Sequence, residues 1–406
     1  MDKNINYKKI FKNIVGHKDG KSFMIDFGGD QASVSIFAYG KVLKELGIDR
    51  VPRINSLVQL SSKPEEEFLD KYNIGIRWLY PGASEKTRDL YETYRDVLDI
   101  DVKSEIDKGY ISGGSGKFFY DEWGVKWKRS AYYFEMVEHP LQGKDLEFIK
   151  KYPFPDPSDR GRVAGLKDEL DQYNKENQHH VYSLSQSYGG LLEAALWLRG
   201  FSDFYMDIAS NNKECSFLLD KLKEYFIEWN RSYLDEVEGK IHIMAIGDDY
   251  GMQDRTLMDP DVWRRHIKTR YKEMIETAKG KYSHIKWFHH SCGAIYPVIK
   301  DLIEIGVDIL NPIQPLAKGM EPVRLKQEFG KMLTFHGGID IQNLLLFSTP
   351  KKIREEVKRV IDILSKDGGF IIAPAHNIQA NTPVENILAF YETANEYFLK
   401  YNNLKS

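Results

Sequence analysis

The feature that most constrains this chain is a rhythm in its C-terminal half, where short β-branched runs alternate with longer helical patterns. The spacing predicts strands at 181–187, 241–247, 285–289, 307–311, 332–336 and 369–373. Helices are predicted near 190–208, 212–237, 260–280, 296–305, 321–329, 350–366 and 383–400. Within 350–366, Ile353, Val357, Val360, Ile361 and Leu364 form one apolar stripe, as a helix laid over a sheet requires. Thr349-Pro350, Asp259-Pro260 and the capping-box pattern Thr382-Pro383-Val384-Glu385 mark helix starts. Unbroken strand–helix alternation implies a parallel sheet. Phe23–Phe27 ahead of a helix at 32–46, and Ile76–Leu79, supply two further units. Eight units favour closure into a (β/α)8 TIM barrel over an open doubly wound sheet.

The 406 residues are read as one barrel spanning 1–406, with an insertion at about 80–160 where the rhythm stops. There Gly, Tyr, Trp and charged residues crowd into GGSGKFFYDEWGVKWKRSAYYFEM. A β-hairpin in the loop after the second strand fits this composition, with Gly113, Gly114 and Gly116 as turn residues. Its position near the barrel mouth suits a lid or a partner surface. Simple packing of Phe118, Phe119, Tyr120, Trp123 and Trp127 onto the barrel is the competing reading.

Composition narrows the classes of function. At 42% hydrophobic and 29% charged residues the chain is a folding one, and a formal net charge of −3 gives no footprint for nucleic acid or a polybasic membrane surface. Two cysteines, Cys215 and Cys292, exclude a disulfide framework and fit a reducing cytoplasm. The start MDKNINYKKIFKNIVGHKDG lacks the apolar region of a secretory signal, and no apolar run approaches the ~18 residues that span a bilayer. Gly116-Lys117 is followed by Phe118, which rules out a P-loop, and no GxGxxG follows a strand.

The strongest chemical signal is Phe288-His289-His290-Ser291-Cys292-Gly293, closing and following the strand IKWF. In extended chain, alternate side chains face one way, so His290 and Cys292 can reach a common point. An imidazole with a thiolate suits Zn²⁺ and other borderline-soft cations. Ala373-Pro374-Ala375-His376-Asn377 ends another strand at the same face and offers His376 as a third ligand. Three N/S ligands with one open position is a catalytic zinc pattern, while a structural hydrogen bond from His376 to its own loop stands beside it as the plainer reading. Gly247-Asp248-Asp249-Tyr250-Gly251-Met252-Gln253 follows a third strand. Asp248 and Asp249 are candidate catalytic carboxylates, with a helix cap as the alternative. Gln186, Tyr188, Gln253, Asn311, Gln314 and His336, at or just past strand ends, are candidate substrate-binding residues, and Asp340 shares that position. Cys215, mid-helix, reads as a small core residue.

His290-Ser291-Cys292-Gly293 after a strand resembles the uroporphyrinogen decarboxylase superfamily, whose zinc-dependent methyltransferase branch carries HxCG at such a place. GVDILNPIQP at 306–315, FHGGID at 335–340 and TPVENILA at 382–389 are similar to the same superfamily, and the likeness covers most of 180–400 and only loosely 1–80. The decarboxylase proper carries an N-terminal arginine-rich motif for porphyrinogen carboxylates. Here the first strand runs into FMIDFGGDQAS without an arginine, and Arg53 stands alone. The methyltransferase branch has a late cysteine in an APGC-type segment, at which this chain reads Ala373-Pro374-Ala375-His376. The resemblance implies a cytoplasmic, zinc-dependent methyltransferase that moves a methyl group between a small methylated substrate and a corrinoid (cobalamin) protein on a separate chain. No nucleic acid or membrane is expected as partner, and a homodimer is allowed. The alternatives are a uroporphyrinogen decarboxylase-like enzyme of heme biosynthesis and a non-catalytic binding barrel.

Overall fold

The strand–helix rhythm emerges as one parallel sheet of eight strands wrapped nearly shut. The computed structural model describes residues 5–18, 20–56, 58–85, 118–130, 133–185 and 189–402. Its barrel strands are β1 (Met24–Ile25), β2 (Ile76–Leu79), β3 (Val181–Leu184), β4 (Ile243–Gly247), β5 (Lys286–His290), β6 (Ile309–Ile313), β7 (Thr334–Ile339) and β8 (Phe370–Pro374). The spatial order β1-β8-β7-β6-β5-β4-β3-β2 is chain order rolled into a ring, and every pairing is parallel. Among the described residues no ladder joins β1 to β2. A side chain crosses that seam: the Trp78 indole N–H in β2 reaches both carboxylate oxygens of Asp26, just past β1, at 3.1 Å.

Parallel strands are covered on both faces and so read as apolar runs. β6 (ILNPI), β7 (TFHGGI) and β8 (FIIAP) are buried along their whole length. Helices fill the outer layer. In Pro350–Leu364 the five residues of the predicted stripe are fully buried, and Thr349 caps the helix through Lys352 N at 3.4 Å. Asp259 does the same for Pro260–Trp263, accepting from Asp261 N at 2.8 Å.

Several elements depart from the sequence reading. The region predicted as one helix over 190–208 is two, Leu191–Arg199 and Phe201–Ser210, broken at Gly200 in a positive-φ conformation that glycine alone tolerates easily. The helix predicted at 260–280 passes through a π-helical turn at Arg264–Lys268. The expected capping box at 382–385 is absent: Pro383 itself occupies the N-cap, the helix starts at Val384, and no side chain caps it. The insertion is a three-stranded antiparallel sheet, Phe118–Tyr120, Lys126–Arg129 and Phe134–Glu138, rather than a hairpin, and Gly113, Gly114 and Gly116 lie outside the described residues. A small antiparallel pair, Arg53–Ser56 with Ser61–Lys63, and a helix at Tyr7–Val15 fall outside the strand–helix rhythm. No helix among the described residues is long and apolar enough to cross a membrane.

Candidate metal centre

The site forms where the loops after β4, β5 and β8 meet. Two glycines let the first two loops close on each other. A side chain at Gly247 would lie 2.4 Å from His290 Cβ, so its absence makes room for that imidazole. Gly293 has φ +85 and packs directly on the Gly251 backbone. The loops are then stitched: Asp248 N donates to His290 O at 3.0 Å, Ala294 N to Met252 O at 2.7 Å, and Tyr250 N to Ser291 Oγ at 3.0 Å.

His290, Cys292 and His376 come together here, with one donor atom from each within 4.8 Å of the others. Cys292 Sγ lies 3.5 Å from His290 Nε2. Ligands around one tetrahedral zinc stand roughly 3.3–3.8 Å apart, given bonds of about 2.0–2.3 Å, so small side-chain adjustments let the trio share an ion. The donor chemistry also fits. Burial, with His290 next to it, lowers the His376 pKa to about 4, leaving the neutral imidazole that binds metals. Burial and the Asp249 carboxylate push the Cys292 thiol well above its ordinary range, so a thiolate at this place calls for a cation beside it. His376 also lines a cavity of ≈ 330 Å³ with Gln253, Gln314, Gln379 and Tyr133, so one member of the trio faces a space able to hold a small molecule.

The two aspartates after β4 part company. Asp248 is fully buried and turns away from the trio: its oxygens accept from Leu192 N at 2.7 Å, Glu193 N at 2.8 Å and Tyr271 OH at 2.7 Å. The helix Leu191–Arg199 has a glycine N-cap with no side chain to offer, and Asp248 supplies the missing cap from another strand. Burial raises its pKa to about 7 against the opposing pull of these donors. Asp249 faces the trio, with Oδ1 3.5 Å from His290 Nε2 and accepting from Cys292 N at 2.8 Å.

Gln314 accepts from Gly293 N at 2.8 Å, and its side chain also hydrogen-bonds Cys292, opposing the rise of the thiol pKa. Gln253 lines the cavity. Asn311 and His336 are buried; Asn311 engages His290 and His336, and His336 also engages Asp26. Asp340 caps the turn that follows it, accepting from Gln342, Asn343 and Leu344 N. Gln186 and Tyr188 lie outside the described residues. Two acids were missed by sequence reasoning. Asp26 directly follows β1, the same strand-end signal that singled out the others. Glu193, held well above the ordinary carboxylate range by burial, Asp249 and Asp248, sits in a helix first turn, which carries no such signal.

Residues 135–397 match the family model for uroporphyrinogen decarboxylase (URO-D). The chain belongs to the uroporphyrinogen decarboxylase family. A methylcobamide:CoM methyltransferase, MtaA, from Methanosarcina barkeri is 26% identical over 163 residues, covering 40% of this chain and 44% of that protein. A uroporphyrinogen decarboxylase from Microcystis aeruginosa is 25% identical over 181 residues, 44% of this chain and 47% of the relative. The matched segments thus span less than half of these relatives. The solved structure of a methyltransferase from Methanosarcina mazei superposes with a TM-score of 0.64 at 16% identity, over 97% of this chain and 98% of that one. It shares the fold. The family therefore holds relatives of two chemistries, both of them enzymes.

Proposed function

We propose that this protein is a zinc-dependent methyltransferase that passes a methyl group between a small methylated substrate and a corrinoid carried on a separate protein. The observation that carries this reading is the convergence of His290, Cys292 and His376 from two strand ends at the edge of a cavity. A zinc ion held by this trio would supply a Lewis acid for the oxygen, nitrogen or sulfur that releases or accepts the methyl group. The chain's own residues shape the site around that task. His376 presents a neutral imidazole beside the ring of His290, and Cys292 presents a sulfur steadied by Gln314. Asp249 holds the Cys292 backbone in place and gives the centre a carboxylate neighbour. Gln253, Gln379 and Tyr133 offer hydrogen bonds that would orient a substrate in the cavity. The relative named as a methylcobamide methyltransferase supports the corrinoid partner.

Chain purified without chelator should hold about one equivalent of zinc, as a three-ligand site predicts. With a reduced corrinoid protein and a panel of methoxylated compounds, methylamines and thiols, it should change the cobalt absorbance only when metal is present. Decarboxylation of uroporphyrinogen by metal-free protein would replace this reading with the carboxy-lyase one.

A further inference from the structure

From Asp26 a line of buried side chains crosses the barrel interior and ends on His290. Trp78 Nε1 lies 3.1 Å from both Asp26 oxygens, and Asp26 Oδ2 lies 3.0 Å from His336 Nε2. His336 Nδ1 lies 2.7 Å from Asn311 Nδ2, and Asn311 Oδ1 lies 2.5 Å from His290 Nδ1. Asp26 and Asn311 are fully buried and His336 is nearly so. Water therefore has little access to the links.

The order of donors and acceptors in this line can be read from its first member. An indole N–H only donates, and a carboxylate only accepts. Asp26 thus takes a proton bond from Trp78 and another from His336 Nε2. Asn311 turns its amide Nδ2, which only donates, toward His336 Nδ1, so that ring nitrogen accepts. That orientation turns the amide oxygen toward His290, which must answer with Nδ1–H. The remaining nitrogen, Nε2, is left with its lone pair, and it is the atom 3.5 Å from Cys292 Sγ and from Asp249 Oδ1.

We propose that Asp26 is a positioning residue that, through His336 and Asn311, fixes His290 as the tautomer whose Nε2 can bind a metal. The proposal rests on the metal-site reading above. It goes beyond it by assigning a role to three residues, after β1 and on β7 and β6, that are not themselves metal ligands and act through His290. Metal-binding histidines depend on the group that holds their second nitrogen, and loss of that group weakens binding about 10–100-fold. In this protein the decisive charge lies three links away from the ligand.

The test uses near-isosteric variants of the full chain. Asp26→Asn places an N–H where His336 Nε2 needs an acceptor. It invites His336 to shift its proton to Nδ1, Asn311 to flip, and His290 to carry its proton on Nε2. Zinc affinity, measured by competition with a chromophoric chelator, should fall about 10–100-fold. In ¹⁵N-histidine NMR of metal-free protein, His290 should change from the Nδ1–H to the Nε2–H form. Adding Asn311→Asp should restore both readouts. The carboxylate introduced there accepts from His290 Nδ1 directly and from His336 Nδ1, while the amide at 26 donates to His336 Nε2. The links from residue 26 to His336 and from His336 to residue 311 are then paired again in the opposite sense, while the link to His290 keeps its original one. A purely structural role for Asp26 predicts no such rescue. If wild-type chain binds no zinc, the metal reading falls. If wild type binds and Asp26→Asn binds equally well with an unchanged His290 tautomer, the relay is overturned. Should Asp26→Asn fail to fold, the double variant decides: zinc binding at near wild-type affinity supports the relay, and a folded double variant that binds weakly overturns it.

Discussion

His289 and His290 are neighbours on β5 and belong to different regions of the molecule. Strand alternation sends them to opposite faces. His290 points into the barrel, toward His376 and Asn311. His289 points outward into the helical layer, stacked on Tyr250, edge-on to Tyr271, with Nε2 3.1 Å from Tyr250 OH. Both are buried. The inner one keeps a nitrogen facing a sulfur and a carboxylate, whereas the outer one is enclosed by aromatic rings. The same pair of faces separates Asp249, beside the trio, from Asp248, spent on a helix end. Burial and polarity alone thus do not mark a functional residue; what the free atom faces does.

The largest effect expected from this division is on metal content. His290→Ala should abolish stoichiometric zinc, with a drop in affinity well above the roughly 10–100-fold of an outer-sphere change. Cys292→Ser should lose most of its metal while Cys215→Ser keeps it, because Cys215 is buried in the helix Lys213–Glu236 with its thiol pushed up to about 12. Elemental analysis of each purified variant checks this. Full occupancy in Cys292→Ser would break the assignment of the inner face.

Next comes the stability of the outer face. Asp248→Ala strands two buried amide N–H groups and the Tyr271 hydroxyl, at about 1–3 kcal/mol for each group left unsatisfied. Urea unfolding should show a loss of at least about 3 kcal/mol in total. Zinc content of the folded fraction should stay near wild type. Asp249→Asn should do the reverse, with little loss of stability and a measurable fall in zinc affinity. Exchange of these two phenotypes would show that the faces have been assigned the wrong way round.

The sequence carried this division only in part. The period of two in FHHSC separates His289 from His290 and joins His290 to Cys292, and a polar residue after an apolar run located His376 as well. Eight parallel strands were legible for the same reason: a buried parallel strand has no polar face to disguise it. Asp248 and Asp249 could not be told apart, since the distinction depends on a helix whose own cap is Gly190, 58 positions earlier in the chain. Strand-end position alone marks Asn311 and His336 as substrate contacts, because barrel strand ends converge. Their pairing with each other and with His290 depends on the register across β5, β6 and β7, which one strand's pattern does not contain. The third strand of the insertion, Phe134–Glu138, alternates poorly and shows only through its pairing with Lys126–Arg129.

A smaller effect is expected in acid. Burial, reinforced by His290, depresses the pKa of His289 to about 3. The unfolded chain takes up this proton near the ordinary value of about 6.5, the folded one only near 3. Between those values the unfolded state binds more protons. The stability that the neutral ring represents is therefore complete above about pH 6.5 and is lost as pH falls toward 3. His289→Phe removes the titrating group while keeping an aromatic body among Tyr250 and Tyr271. Its unfolding free energy should fall less steeply than wild type between pH 6 and about 4, with a difference of roughly 1–2 kcal/mol accumulated over that span. A parallel decline in both proteins would show that other groups set the acid limb.

The smallest effect concerns the insertion, where a contrast between a buried and an exposed face recurs. Asp121 accepts from Trp123 N and Val125 N at 2.9 Å and from Trp127 Nε1 at 2.8 Å, closing the turn between the first two strands. Trp127 lies edge-on to Trp197, and Trp123 to Tyr225, so one face is docked on the helices Leu191–Arg199 and Lys213–Glu236. Phe118 and Tyr120 remain exposed on the other face. A lid that swings away would have to uncover both buried tryptophans, and each indole contributes a large apolar area to the contact. Hydrogen exchange at Val125 and Trp127 should accordingly match that of β4 to β6 rather than that of a mobile loop. Phe118→Ser and Tyr120→Ser should change stability by less than about 0.5 kcal/mol and leave zinc content alone. A higher KM for the corrinoid protein in these two variants, with kcat preserved, would identify the exposed face as the surface on which the partner docks. Fast exchange at Val125 would instead restore the swinging lid.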